Sequence, residues 1–167
     1  MDQVVASSEG VFRDPRKDED EENDVLIDDT LPGSVWIGSV HGAQNAYELG
    51  RVGITHVLCL EEEIVPLEDV LEVIEDRWVV PLTHEEGEDI VEVLPRVFEL
   101  IDGARREGGH VLVHCNRGVN RSGSVVVAYV MARFGMGFED GLASVRRIRS
   151  VVCPDEEYES ALRGWER

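Results

Sequence analysis

Residues 114 to 122 read His114-Cys115-Asn116-Arg117-Gly118-Val119-Asn120-Arg121-Ser122 and bring a thiol, two guanidinium groups and a glycine into one short segment. An apolar run, Val111 to Val113, precedes them, and a helical pattern from Ser122 to Phe134 follows. A strand, a turn with one glycine and a helix start make a socket of backbone N–H groups, which suits an anion. The order of residues puts Cys115 at the floor of the socket and Arg121 at its rim. Helix N-termini and nearby arginines lower thiol pKa values to about 3.5–7.5. The chemistry on offer is a thiolate nucleophile held against a phosphate dianion.

The pattern His-Cys-x-x-Gly-x-x-Arg-Ser resembles the signature of the cysteine-dependent protein phosphatases, and the small dual-specificity branch matches it best. Further stretches are similar to that family: Leu31 to Ser39 to its opening strand, Val52 to Leu58 to its next strand, and Asp155 to Leu162 to its closing helix. The resemblance covers roughly residues 28 to 166. It implies a protein-tyrosine-phosphatase-like fold and the hydrolysis of phosphotyrosine and of phosphoserine or phosphothreonine through a phosphocysteine intermediate.

Such hydrolysis is a two-step displacement. The Cys115 thiolate attacks phosphorus and expels the alcohol, and water then hydrolyses the phosphocysteine. Catalysis rests on positioning and electrostatics. The backbone N–H groups of Asn116, Arg117, Gly118, Val119, Asn120 and Arg121 are expected to bind the equatorial oxygens, with Arg121 clamping two of them. Ser122 is expected to donate to the Cys115 sulfur, to cap the following helix, or both. Gly118 supplies a backbone conformation closed to other residues, and Arg117 adds positive potential at the mouth. For His114 the resemblance implies a loop-ordering role. No metal or cofactor is needed.

The leaving alcohol needs a proton donor. The family carries an aspartate for this about 30 residues before the cysteine, and in this chain that place falls on His84, within Pro81-Leu82-Thr83-His84-Glu85-Glu86-Gly87-Glu88-Asp89-Ile90. Three readings stay open. His84 is the acid, since an imidazolium beside a dianion holds its proton better. Or Glu85, Glu86 or Asp89 substitutes, although Asp89 also suits a helix start. Or the acid is missing, which leaves a weak enzyme or a phospho-binding pseudophosphatase. Asn120 before Arg121, together with the missing aspartate, also resembles RNA 5′-triphosphatases.

The net charge of −19 argues against nucleic acid or an anionic membrane as partner. The only lysine is Lys17, which disfavours phosphates of higher charge. A phosphorylated protein is the expected partner. The acidity either favours phosphosites flanked by basic residues or serves solubility alone. No apolar run approaches a membrane span, and Met1 to Gly10 has neither the basic start nor the apolar block of a signal peptide. Three cysteines and a thiolate chemistry point to a reducing compartment, cytosol or nucleus. Cys59 ends a predicted strand. It is either a core space-filler or a resolving thiol for an oxidised Cys115.

Residues 1–24 read as an acidic disordered tail and 25–167 as the catalytic domain. Strands are predicted at Val35 to Gly38, Ile54 to Leu60, Trp78 to Leu82 and Val111 to Val113. Helices are predicted at Ala43 to Gly50, Pro66 to Ile74, Asp89 to Arg106, Ser122 to Phe134, Phe138 to Arg149 and Asp155 to Trp165. The Asp89 to Arg106 segment carries a one-faced stripe of Ile90, Val93, Leu94, Val97, Phe98 and Ile101, with Pro95 inside it. Strands alternating with helices give an α/β fold, a central mostly parallel sheet flanked by helices on both faces.

Overall fold

A computed structural model describes residues 23–26, 30–83 and 88–165. Its sheet has five strands: β1 (Asn23–Leu26), β2 (Val35–Gly38), β3 (His56–Cys59), β4 (Asp76–Val79) and β5 (Val111–His114). The spatial order is β1-β2-β5-β3-β4. β2, β5, β3 and β4 run parallel, and β1 pairs antiparallel with β2 at the edge. β5 is central, and His114 is in register with Gly38 on one side and Cys59 on the other. The chain therefore leaves three neighbouring strands at one edge, at Ser39, Leu60 and Cys115. The carboxyl ends of parallel strands are where open sheets bind ligands.

Side chains of a strand alternate between the two faces. Val35, Ile37, Leu58, Val111 and Val113 join one core with residues of α4 (Ile90–Arg106), α5 (Arg121–Phe134), α6 (Phe138–Ile148) and α7 (Glu156–Gly164). Trp36, Val57 and Leu112 point the other way, into a smaller core with Leu49 of α2 (Ala46–Val52) and Val70 of α3 (Glu68–Val73). A short helix, α1 (Val40–Ala43), adds Ala43 to that side. Cover on both faces explains the unbroken apolar run of β5. Of the α4 stripe, Ile90, Leu94, Val97 and Ile101 are buried, while Val93 and Phe98 are partly buried and pack against the same core. Every residue of α5 from Ser122 to Met131 is buried, so the helix that starts at the thiol loop is fixed in the middle of the domain. No helix among the described residues is long and apolar enough to cross a membrane.

The structure departs from the sequence reading at three places. Asn23 and Asp24, assigned to the tail, belong to β1, whose backbone pairs with β2; the residues before Asn23 lie outside the described ones. The helix expected at Ala43 to Gly50 is two helices, because the Asn45 side chain accepts from Glu48 N–H and starts a new one. The strand expected at Trp78 to Leu82 begins earlier, at Asp76. Polar residues suit an edge position, and beyond the strand Val80 and Leu82 N–H still donate to the carbonyls of Cys59 and Leu60.

Candidate active site

Cys115 follows β5 directly and is buried. Its Sγ lies 3.3 Å from Ser122 Oγ and accepts the Gly118 N–H at 3.3 Å. The sulfur thus has a backbone N–H and a hydroxyl as hydrogen-bond partners. Ser122 does not cap α5, since that place belongs to Asn120, which makes no side-chain cap. The hydroxyl is left to the sulfur, and the first-turn amides of α5 are left to other acceptors.

The rest of the loop is turned inside in by bonds made outside it. Val40 N–H donates to the Asn116 carbonyl at 2.9 Å. Arg149 donates to the carbonyls of Arg117 (Nη2, 3.4 Å) and Gly118 (Nε, 2.9 Å). Cys153 N–H takes the Val119 carbonyl at 2.9 Å, and Ser124 takes that of Asn120 through N–H and Oγ. With each carbonyl drawn outward, the peptide N–H groups turn toward the sulfur side, the geometry of an anion nest. Gly118 has a φ of +65°, and a Cβ there would fall 2.6 Å from the Gly38 carbonyl oxygen, so both conformation and space demand glycine. The Asn120 amide is committed at both ends to Asp155: its Nδ2 donates to Oδ2 and its Oδ1 accepts the Asp155 N–H. Asp155 also caps α7 through Tyr158 N–H. Arg117 is exposed at the mouth.

Arg121 stands at the rim with Nη1 2.7 Å from Glu61 Oε1. The same Glu61 oxygen accepts the Asn116 N–H at 2.5 Å. Not all loop amides therefore await a ligand as the sequence suggested: Asn116 serves Glu61 and Gly118 serves the sulfur. Arg121 Nε is buried and meets no acceptor among the described residues. A buried donor left unpaired costs about 1–3 kcal/mol, and an oxyanion held in the loop would remove that cost. Beside Arg121 lies an open cleft lined by Glu61, Glu62, Glu63, Pro81, Leu82 and Thr83.

The profile of the dual specificity phosphatase catalytic domain matches residues 35–167. The chain belongs to this family. Among curated relatives, dual specificity protein phosphatase 1B of Arabidopsis thaliana is 35% identical over 136 residues, 80% of this chain and 78% of its own. The serine/threonine/tyrosine-interacting protein of Mus musculus is 31% identical over 144 residues, 84% of this chain, and the chain spans 64% of that relative's length. Among solved structures, DUSP15 superposes with a TM-score of 0.72 at 28% identity, over 85% of this chain and 86% of its own. The human tyrosine phosphatase-like serine/threonine/tyrosine-interacting protein gives 0.70 at 30% identity, over 79% and 90%.

In this member of the family the candidate acids separate into two groups. His84, Glu85 and Glu86 lie outside the described residues. Thr83, just before His84, lines the cleft at Arg121. Glu88 closes the other end: its carboxylate accepts Thr83 N–H at 2.8 and 3.0 Å and the Tyr158 hydroxyl at 3.4 Å. Asp89 caps α4, accepting Val91 N–H at 2.9 Å. Cys59 pairs with His114 in the parallel β3–β5 pair, so it and Cys115 lie at the same edge of the sheet. Its thiol is buried, donates to the Glu61 carbonyl at 3.1 Å, and is pushed up in pKa by burial.

His114 is buried, with Nδ1 3.2 Å from the Cys115 carbonyl oxygen. Burial lowers its pKa to about 4, against the opposing pull of that carbonyl, with the Arg77 charge adding to the lowering. The ring is neutral, so Nδ1–H donates and orders the loop start. In the unfolded chain the imidazole takes up a proton below about 6.5, whereas the folded one resists to about 4. Stability from this neutral burial is therefore present above pH 6.5 and lost as pH falls toward 4. Between pH 7 and 5 the loss amounts to roughly 2 kcal/mol. Urea unfolding of wild type and His114→Asn at both pH values checks this, and an equal acid loss in the two proteins would refute it.

Glu61, Arg149 and Asp155 have no place in the sequence reading of the site. Glu61 carried one usable signal: in a parallel pair, the second residue beyond Cys59 faces the second residue beyond His114. Arg149 and Asp155 had none, because each acts on main-chain or amide atoms some 30 residues away.

Proposed function

We propose that this dual specificity phosphatase hydrolyses phosphotyrosine and phosphoserine or phosphothreonine in proteins by a two-step displacement at Cys115. The observation that carries the reading is the sulfur's setting: the Gly118 N–H and the Ser122 hydroxyl at 3.3 Å, inside a loop whose carbonyls face away. The phosphoryl group would sit above Sγ, its oxygens on the inward N–H groups and on Arg121 Nε. Sγ attacks phosphorus, the P–O bond to the alcohol breaks, and a proton passes to the leaving oxygen. Water then attacks phosphorus and the sulfur leaves as thiolate, eased by Ser122 Oγ–H. Acid-quenched intact mass spectrometry during turnover of a phosphotyrosyl and a phosphoseryl peptide tests this. A phosphate adduct on Cys115 is expected with both peptides, and turnover without any adduct would count against the covalent route.

His84 is part of the proposal as proton donor. His84→Ala is expected to slow an alkyl phosphate by roughly 10²–10⁴-fold, the usual worth of a general acid. An aryl phosphate with an acidic leaving alcohol should change little. If both substrates keep wild-type rates, the acid lies elsewhere. The acidic cleft at Arg121 supports phosphosites flanked by basic residues, and the thiolate supports a reducing compartment, cytosol or nucleus.

The alternative is phospho-binding with little turnover. It draws on the relatives named serine/threonine/tyrosine-interacting proteins and on Glu61 standing in the loop. Peptide binding without phosphate release by the wild-type protein would favour it. The RNA 5′-triphosphatase reading draws on the missing aspartate and on Asn120, whose side chain is bonded to Asp155, and the net charge of −19 weighs against it.

A further inference from the structure

We propose that Glu61 is a built-in competitor for the phosphate cradle, and hence a residue that selects substrates by the charge beside the phosphorylated residue. The inference rests on the phosphatase reading above. One Glu61 oxygen takes both kinds of donor that the loop offers: the backbone N–H of Asn116 at 2.5 Å and the guanidinium of Arg121 at 2.7 Å. These donors suit a phosphoryl oxygen equally well. The contact follows from the sheet, because the Cys59–His114 register sets Glu61 and Asn116 each two residues past a paired position.

The placement is firm in the backbone and loose in the side chain. The Glu61 carbonyl is held by the Cys59 thiol at 3.1 Å. Its carboxylate grips by a single oxygen and keeps 19% of the side chain exposed, with Arg121 at 23%. Arg121 Nε is not taken by any described residue. A dianion with three oxygens can use that Nε and further loop amides, so it displaces a monoanion held at one point.

Displacement leaves the Glu61 carboxylate next to the bound dianion, on the wall it shares with Glu62 and Glu63. With a neutral or acidic neighbour on the substrate, the two negative charges repel. A lysine or arginine beside the phosphorylated residue pairs with the expelled carboxylate and relieves the repulsion. Apparent affinity falls by the fraction of molecules whose site is open. A cradle held by Glu61 nine-tenths of the time therefore binds roughly 10-fold more weakly than an open one.

The test is Glu61→Gln, which keeps the shape and removes the charge, with Glu61→Ala beside it as a check on folding. Isothermal calorimetry with inorganic phosphate is expected to show roughly 10-fold tighter binding in Glu61→Gln than in wild type. KM for an aryl phosphate should fall more than kcat changes. The KM preference for a phosphopeptide with an adjacent arginine over one with an adjacent alanine should shrink. Equal or weaker phosphate binding by the variant overturns the competitor and leaves the phosphatase reading standing. No phosphate binding by either protein overturns both.

Discussion

A Cys115→Ser variant binds phosphopeptides and fails to turn them over, with kcat reduced by about 10⁴–10⁶-fold. The cradle is built from main-chain bonds to Val40, Arg149, Cys153 and Ser124, none of which involves the sulfur. Binding should therefore survive the exchange. Attack should not, because a serine hydroxyl stays protonated near neutral pH and is a far weaker nucleophile than a thiolate. The Gly118 N–H and Ser122 Oγ, each 3.3 Å from Sγ, are arranged for a large anionic atom. A smaller neutral hydroxyl sits farther from both. Phosphate release gives the rate, and fluorescence anisotropy of a labelled phosphopeptide gives the affinity. A variant within about 100-fold of wild-type kcat would falsify the nucleophile assignment.

Arg121→Lys is the second large effect expected, a loss of roughly 10³-fold in kcat despite the conserved charge. A planar guanidinium offers a fork of donors in fixed geometry, whereas an ammonium is a point charge on a flexible stem. Removing one preorganised donor to a developing oxyanion costs about 10²–10³-fold, and arginines on transferring phosphoryl groups contribute more. Here the buried Nε has no acceptor among the described residues, so its donor capacity is open to a ligand. Lysine loses this donor and keeps only an approximate partner for Glu61. Folding should not suffer, since the change also deletes a buried unpaired group. A variant that keeps a tenth of wild-type kcat would show that the fork is not used. A large loss of thermal stability would point instead to a structural role.

The parts of the molecule that could be read from the sequence are those whose cause is local. The nucleophile, the glycine and the arginine sit within one loop, and their chemistry follows from residue type and spacing. The α4 stripe repeats with the helical period, and the β5 run is apolar because both sheet faces are covered. What escaped was set by pairing across the sheet or by main-chain atoms. β1 contributes backbone bonds at an edge, and Asn23 and Asp24 give no apolar pattern to betray it. Glu61 meets Asn116 through a strand register that joins residues 55 apart in the chain. Arg149 ends a helix with its guanidinium on two carbonyls, and no side-chain motif marks such a contact. The family aspartate's place at His84 was legible as a position, while its neighbours Thr83 and Glu88 came to light only through their mutual bond.

Three of the supports that shape the thiol loop, Arg149, Cys153 and Asp155, come about 30 residues after it in the chain. Domains are made from the N-terminus onward, at about 5–20 residues per second. A nascent chain that has reached Ile148 already carries every residue of the Cys115 to Ser122 segment, yet lacks all three of those braces. During synthesis Cys115 thus lies in a turn without these braces. The loop is shaped late, as the final two helices dock and draw its carbonyls outward.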